Sequence, residues 1–89
     1  MLERSITIIN KLGLHARAAA KLVSTASAYS SKVKVSFNGK EVDGKSIMSV
    51  MMLAASKGCE LTLKVEGDDQ DTAMQAIIDL INDRFEEDE

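Results

Sequence analysis

The sequence predicts an α+β fold with element order βαββαβα, a two-layer open-faced sandwich in which helices cover one face of four strands. Two periodicities indicate this fold. Apolar and polar residues alternate along four short segments, which is the pattern of half-buried strands. In longer segments, apolar residues recur every three or four positions, as in a helix with one buried face. With 89 residues, the chain is expected to form one domain, 1–89.

The first two elements are a strand over residues 2–9 and a helix after Gly13. Leu2, Ile6 and Ile8 share one face of the strand. The helix is expected to bury a stripe of small and aliphatic residues, namely Ala16, Ala19, Ala20, Val23 and Ala26.

The middle of the chain is predicted to be a hairpin followed by a short helix. Residues 32–37 alternate as a strand, and Asn38-Gly39 supplies the left-handed backbone of a two-residue turn into a strand over 40–42. Ser46 is a good N-cap for a helix over 47–55, closed by Gly58.

A fourth strand and a final helix complete the fold. Cys59, expected to be a small buried residue, begins a strand that ends at Gly67. Asp68 and Asp69 cap a helix reaching about residue 85. Its predicted buried face consists of Ala73, Ala76, Ile77, Leu80, Ile81 and Phe85.

The charge is distributed unevenly along the chain. Residues 1–65 hold ten Lys or Arg and four acids, whereas residues 66–89 hold ten acids and one Arg. The basic part is expected to steer acidic protein surfaces, and the run 86–89 to be a solvated, frayed end. Scattered lysines without a basic-aromatic platform argue against nucleic acid as a partner.

The sequence predicts a cytoplasmic protein. Cys59 is the only cysteine, and the sequence has neither a signal peptide nor an apolar span long enough to cross a membrane.

His15, the only histidine, falls where the first strand gives way to the helix. In a first helical turn, the unpaired amides of Ala16 and Arg17 and the positive end of the helix dipole favour an anion. The Arg17 guanidinium suits phosphate oxygens. The segment therefore has two interpretations: a neutral imidazole that accepts a phosphoryl group, or a solvated or hydrogen-bonded histidine beside an ordinary exposed arginine, which is the commoner case for a lone histidine near a helix start. No residue spacing in the chain predicts a metal site or a catalytic triad.

A second motif offers a competing interpretation. Residues 39–46 match the phosphate-loop pattern G-x-x-x-x-G-K-[ST], which would indicate a nucleotide-binding protein. The hairpin signal at Asn38-Gly39 argues against it, because it makes the loop residues a strand. The chain is also short for a parallel nucleotide-binding sheet.

Two segments resemble the signatures of one family. Residues 12–17, LGLHAR, are similar to the phosphohistidine signature of the HPr family, the phosphocarriers of the bacterial phosphotransferase system. Residues 44–51, GKSIMSVM, are similar to its regulatory serine segment, and the resemblance covers essentially the whole chain. Ala18 stands where many members have proline, and both the sugar-transport and the nitrogen-related branch are compatible with this segment.

The resemblance implies a phosphoryl carrier rather than a stand-alone enzyme, without a cofactor. Its sheet would be antiparallel, with the two longer helices on one face and the short helix beside the histidine. Enzyme I would phosphorylate His15 at Nδ1, and enzyme IIA-type proteins would receive the group. Arg17 and the amides of Ala16 and Arg17 would stabilise the phosphate.

The resemblance also implies regulation at Ser46, by an HPr(Ser) kinase/phosphorylase if one is present. Methionines at helical spacing usually lie in a core, but a short helix must expose one face, and Met is common on adaptable binding surfaces. We expect a monomer whose partner contacts include Ala20, Ile47, Met48 and Met51.

Overall fold

A computed structural model describes residues 1–87 and confirms the predicted order βαββαβα. The strands are β1 (Leu2–Thr7), β2 (Lys32–Phe37), β3 (Lys40–Asp43) and β4 (Glu60–Glu66). The helices are α1 (Ala16–Ser27), α2 (Ile47–Met52) and α3 (Gln70–Asn82), followed by a short 3-10 turn, Arg84–Glu86.

The four strands form one antiparallel sheet with the order β1-β4-β2-β3. Asn38 and Gly39 have φ of 53° and 83° and join Phe37 to its register partner Lys40, which confirms the predicted hairpin turn. β4, the last strand in sequence, lies between β1 and β2. Alternation alone does not determine this order.

The core lies between the sheet and the helices. Alternate residues of the strands point into it, and one face each of α1 and α3 covers them. Its fully buried members include Ile8, Leu22, Val33, Val35, Leu61, Leu63, Val65, Ile77, Ile81 and Phe85. Among residues 1–87, no helix is long and apolar enough to cross a membrane.

The predicted helix faces and ends are partly wrong. α1 buries Ala18 and Leu22, while Ala16 and Ala20 are exposed, because its inward stripe is rotated from the alanine pattern. In α3, Met74 takes a fully inward position and Ala76 is half-buried. The last part of the chain differs more, because α3 ends at Asn82 and Phe85 belongs to the following turn.

Two smaller predictions also need correction. α2 ends at Met52 rather than at residue 55, because Ala54 adopts a left-handed backbone with φ of 54° that no α-helix continues through. Cys59 is half-buried and lies just before β4. Hydrogen bonds from the Ser56 hydroxyl and amide lower the pKa of its thiol.

Asp69 precedes α3 but its carboxylate does not cap that helix. It instead accepts hydrogen bonds from the amides of Ser30 and Ser31, both at 2.9 Å, and from the Ser31 hydroxyl. The Ser31 hydroxyl, followed by the Ser30 amide, holds the pKa of Asp69 at about 2. Asp69 therefore ties the start of α3 to the turn before β2.

The segment between β1 and α1 is fixed against the segment between α2 and β4. Ile8 and residues 58–59 exchange two backbone hydrogen bonds of 2.8 and 2.9 Å, and the Leu14 amide donates to the Ala55 carbonyl at 2.9 Å. Between these bonds lies Gly13, with φ of +66°. A Cβ at Gly13 would stand 2.6 Å from the Ala55 oxygen and from Ser56 Cα, so the approach requires glycine.

After α3 the chain reverses through three consecutive left-handed residues, 84–86. In the middle of this turn, Phe85 is completely buried in the core. The Lys21 ammonium of α1 donates to the Phe85 carbonyl at 2.8 Å and lies 3.5 Å from the Glu86 carboxylate. The turn thereby directs the following residue back toward the N-terminal end of α1.

We predict that Gly13→Ala destabilises the protein much more than Gly39→Ala. Both glycines have positive φ, but an added Cβ at Gly39 meets nothing within 4 Å. Gly39→Ala should therefore cost about 1 kcal/mol from backbone strain, whereas Gly13→Ala should cost about 2–5 kcal/mol because overpacking is added. Urea denaturation of both variants measures the difference, and equal costs would contradict the close approach at Gly13.

We predict that Asp69 stabilises the fold at neutral pH and loses this effect in acid. Its pKa is about 2 in the folded protein against an ordinary 3.8. A lowered folded pKa stabilises above the unfolded pKa, and the stabilisation is lost as the pH falls toward the folded pKa. The difference in unfolding free energy between wild type and Asp69→Asn should therefore be constant near neutrality and shrink between about pH 4 and pH 2. The exposed neighbour Asp68→Asn is the matched control, and a pH-independent Asp69→Asn difference would refute the prediction.

Candidate functional site

His15 is the N-cap of α1, one residue before the predicted first turn. Its backbone is extended, with φ of −70° and ψ of 175°, and its carbonyl accepts from the Ala19 amide at 2.9 Å. The imidazole Nδ1 accepts a hydrogen bond from the Arg17 amide at 3.3 Å. The side chain is 26% exposed, so one edge of the ring reaches solvent. The N-cap position thus fixes where Nδ1 points.

The other ring nitrogen contacts a carboxylate from the far end of the chain. Nε2 of His15 makes a hydrogen bond and ion pair with Glu87 Oε2. A carboxylate accepts and does not donate, so Nε2 carries the proton. Nδ1 accepts from an amide, so it is unprotonated. Both neighbours therefore select the same tautomer, in which Nδ1 is unprotonated and its lone pair accepts from the Arg17 amide.

Asn10 holds the second oxygen of this carboxylate. Its side chain is completely buried, and its amide donates to Glu87 Oε1 at 3.0 Å and to the Gly13 carbonyl at 2.9 Å. Burial raises the pKa of Glu87, but the hydrogen bonds from Asn10 and His15 outweigh it, so this pKa lies below its ordinary value. Glu87 is therefore ionised at neutral pH.

One of the predicted phosphate-binding groups contacts Nδ1, and the others belong to the two residues after His15. The Arg17 amide contacts Nδ1 directly, and the Ala16 amide is at the first helical position, where an amide has no intrahelical acceptor. The Arg17 side chain is exposed and makes no hydrogen bond or ion pair with residues 1–87. Its guanidinium is thus available to an incoming anion.

α2 carries the predicted regulatory serine and most of the predicted partner contacts. Ser46 is its N-cap, as predicted, and its hydroxyl accepts from the Ser49 amide at 3.4 Å. α2 packs against α1. Large exposed apolar side chains occur on α2 and just before His15. They are Ile47, Met48, Met51 and Met52, here called the α2 surface, together with Leu12.

The phosphate-loop interpretation of residues 39–46 is wrong. Lys40–Asp43 is strand β3, paired with β2, so its backbone cannot curve around a phosphate. Gly44 donates its amide to the Val33 carbonyl at 2.8 Å, and a Cβ there would stand 2.6 Å from Val33 Cγ1. In the described part of the chain, no group of three or more His, Cys, Asp or Glu side chains could hold a metal ion.

The expectation of a solvated acidic end is wrong for Glu87, which is 17% exposed, whereas Glu86 is solvent-exposed as expected. Asp88 and Glu89 lie outside the described residues. The Glu87 contact spans 72 residues, and no local pattern signals it. Asn10 did have a signal. It shares the inward parity of Ile6 and Ile8, and a polar residue in an inward register calls for a buried partner.

Comparison with known proteins gives one consistent result. Residues 2–83 match the family model described as "PTS HPr component phosphorylation site". The phosphocarrier protein HPr of Cupriavidus necator is 57% identical over 89 residues, covering all of both chains. The crystal structure of HPr-C-His from Thermoanaerobacter tengcongensis has a TM-score of 0.96 and 47% identity, again with all of both chains covered.

A second solved structure, described as an HPr dimer from the same organism, has a TM-score of 0.79 and 48% identity, and covers 98% of this chain and 100% of its own. The family match, the relatives and the shared fold agree, and we conclude that this chain belongs to the HPr family of phosphocarrier proteins of the phosphotransferase system.

Proposed function

We propose that His15 accepts a phosphoryl group from enzyme I on Nδ1 and passes it to enzyme IIA-type acceptors. The observation that carries the proposal is the tautomer of His15. Nδ1 is unprotonated and accepts a long hydrogen bond of 3.3 Å from the Arg17 amide at the N-terminus of α1, and the proton resides on Nε2 against Glu87. A nucleophilic nitrogen must be unprotonated, and Nδ1 meets that requirement.

In the proposed step, the Arg17 amide leaves Nδ1 and donates to a phosphate oxygen, and the Nδ1 lone pair attacks phosphorus while the bond from phosphorus to the donor group breaks. The donor keeps the electron pair of the broken bond, and the proton on Nε2 stays in place. The phosphorylated ring is formally an imidazolium. The ionised Glu87 carboxylate beside Nε2 therefore favours the phosphorylated form of His15.

The phosphate would be stabilised from the helix side. Its oxygens would accept from the amides of Ala16 and Arg17, where the helix dipole favours negative charge. The Arg17 guanidinium, which has no partner among residues 1–87, would bind the same oxygens. These groups hold a phosphoryl group but do not activate a second substrate, so the protein acts as a carrier and the partner proteins complete the transfer site.

The same face would meet each partner in turn. Exposed apolar contacts come from the α2 surface, on the helix that packs against α1, and from Leu12, three residues before His15. Ala20 is exposed one turn beyond Ala16 on α1. The excess of Lys and Arg in residues 1–65 suits acidic partner surfaces and rapid association. We propose that the protein docks as a monomer, because a second copy bound on this face would block both partners. We also propose that it acts in the cytoplasm, where the lone Cys59 stays reduced.

Ser46 is proposed as a regulatory phosphorylation site for an HPr(Ser) kinase/phosphorylase. A phosphate on this N-cap would lie at the positive end of α2, where it does not oppose the helix. It would also place about two negative charges beside Ile47 and Met48. An apolar partner surface would have to desolvate that charge, so docking would weaken without unfolding.

We predict that His15 is the residue that enzyme I labels. Incubation with enzyme I and radioactive phosphoenolpyruvate should give one acid-labile phosphate per wild-type chain and none on His15→Ala. His15→Asn is the matched control for folding, because Asn keeps an N-cap acceptor but has no imidazole. It should be equally unlabelled with a native circular dichroism spectrum. Acid-labile phosphate on either variant would overturn the proposal.

We predict that phosphorylation of Ser46 slows labelling of His15 by more than tenfold with little change in circular dichroism, because the added charge lies in the docking face. Ser46→Asp carries less charge and should slow labelling by a smaller factor. Ser5→Asp adds the same charge on the exposed face of β1 and is the matched control. If all four proteins were labelled at equal rates, Ser46 would be a helix cap without a regulatory role.

A further inference from the structure

The contact between Glu87 and His15 is held from a third position, Asn10. Both oxygens of the Glu87 carboxylate accept a hydrogen bond, one from His15 Nε2 and the other from the Asn10 side-chain amide. Glu87 is 17% exposed, which is low for an acidic side chain near a chain end. The carboxylate is therefore fixed in orientation as well as in position.

Asn10 is itself anchored in the segment that carries the histidine. Its amide donates to the Gly13 carbonyl, and the Gly13 amide donates back to the Asn10 carbonyl at 3.3 Å. Its Oδ1 is buried and has no hydrogen-bond partner among residues 1–87. A buried, partly unsatisfied asparagine is costly, which indicates a role beyond packing.

The chain end is brought to this place by separate contacts. The buried Phe85 ring anchors the left-handed turn, and the Lys21 ammonium donates a hydrogen bond to the Phe85 carbonyl at 2.8 Å. Both contacts are made by Phe85, two residues before Glu87, and neither involves the imidazole. They make the approach of Glu87 to His15 a feature of the fold rather than of a free tail.

We propose that Glu87 is a positioning residue for phosphoryl transfer, and that Asn10 orients it. By accepting a hydrogen bond from Nε2–H, the carboxylate favours the tautomer with an unprotonated Nδ1, and together with the Arg17 amide at Nδ1 it fixes the orientation of the ring. This inference rests on the proposed function of His15. Like the carboxylate partner of a catalytic histidine, Glu87 acts through the imidazole and does not touch the transferred group.

Glu87→Gln is the most informative variant. A side-chain amide has one acceptor oxygen, whereas each of the two Glu87 oxygens accepts a hydrogen bond. The oxygen of glutamine can therefore accept from Asn10 or from Nε2–H, but not from both. When its oxygen faces Asn10, its NH2 group faces Nε2 and favours the opposite tautomer. Glu86→Gln is the matched control, because it removes the same charge one residue earlier from a side chain that is 63% exposed.

The experiment has two readouts. Imidazole ¹⁵N chemical shifts of the unphosphorylated proteins report the tautomer without any partner. The second-order rate of labelling by enzyme I and phosphoenolpyruvate reports transfer. We expect wild type and Glu86→Gln to show the Nε2–H tautomer and rates within twofold of each other. We expect Glu87→Gln to gain the Nδ1–H tautomer and to be labelled about tenfold more slowly.

Several outcomes would overturn the inference. The first is an unchanged tautomer in Glu87→Gln, and the second is a changed tautomer with an unchanged labelling rate. Equal slowing of both variants would indicate a general charge effect, and faster labelling of Glu87→Gln would indicate that Glu87 blocks the site. A wild-type protein that takes no phosphate on His15 would instead refute the proposed function, and the ¹⁵N comparison would still decide whether Glu87 holds the ring.

Discussion

The position of His15 depends on one close backbone approach, that of Gly13 to Ala55 and Ser56. The space between these segments has no room for a Cβ, and the adjacent hydrogen bond from the Leu14 amide to the Ala55 carbonyl fixes the position of one segment along the other. Packed backbone segments transmit displacement instead of absorbing it. The approach therefore sets the start of α1 relative to the end of α2. Histidine, helix amides and the α2 surface keep one arrangement because of this contact.

Much of the fold was predictable because its strands alternate clearly and Asn38-Gly39 has one favoured turn conformation. The face of α1 was harder to predict, because alanine has only one methyl group to bury and an alanine-rich helix therefore has a weak apolar stripe. Leu22, the larger side chain, marks the true inward face. The end of α2 was missed since a left-handed alanine, Ala54, has no sequence signature comparable to glycine.

Within the site, residues placed by their neighbours in sequence were predictable, and residues placed by tertiary contacts were not. The histidine at a helix start, its neighbour Arg17 and the Ser46 cap follow from consecutive residues, so the sequence predicts their placement. Asn10 and Glu87 come together only through the folded sheet and the turn after α3. That turn has three left-handed residues and no glycine, and burial of Phe85 offsets a conformational cost of about 1–2 kcal/mol per residue. An acidic run therefore looks solvated in sequence although part of it is not.

The 72-residue separation of His15 and Glu87 also has a consequence for synthesis. Ribosomes add about 5–20 residues per second, so the carboxylate is made about 4–14 s after the histidine. Throughout that interval the nascent chain carries an imidazole without its carboxylate. β4, which lies between β1 and β2 in the sheet, is also made after both of its neighbours. β1 pairs only with β4, so the sheet and the complete site can both form only after the last part of the chain has been made.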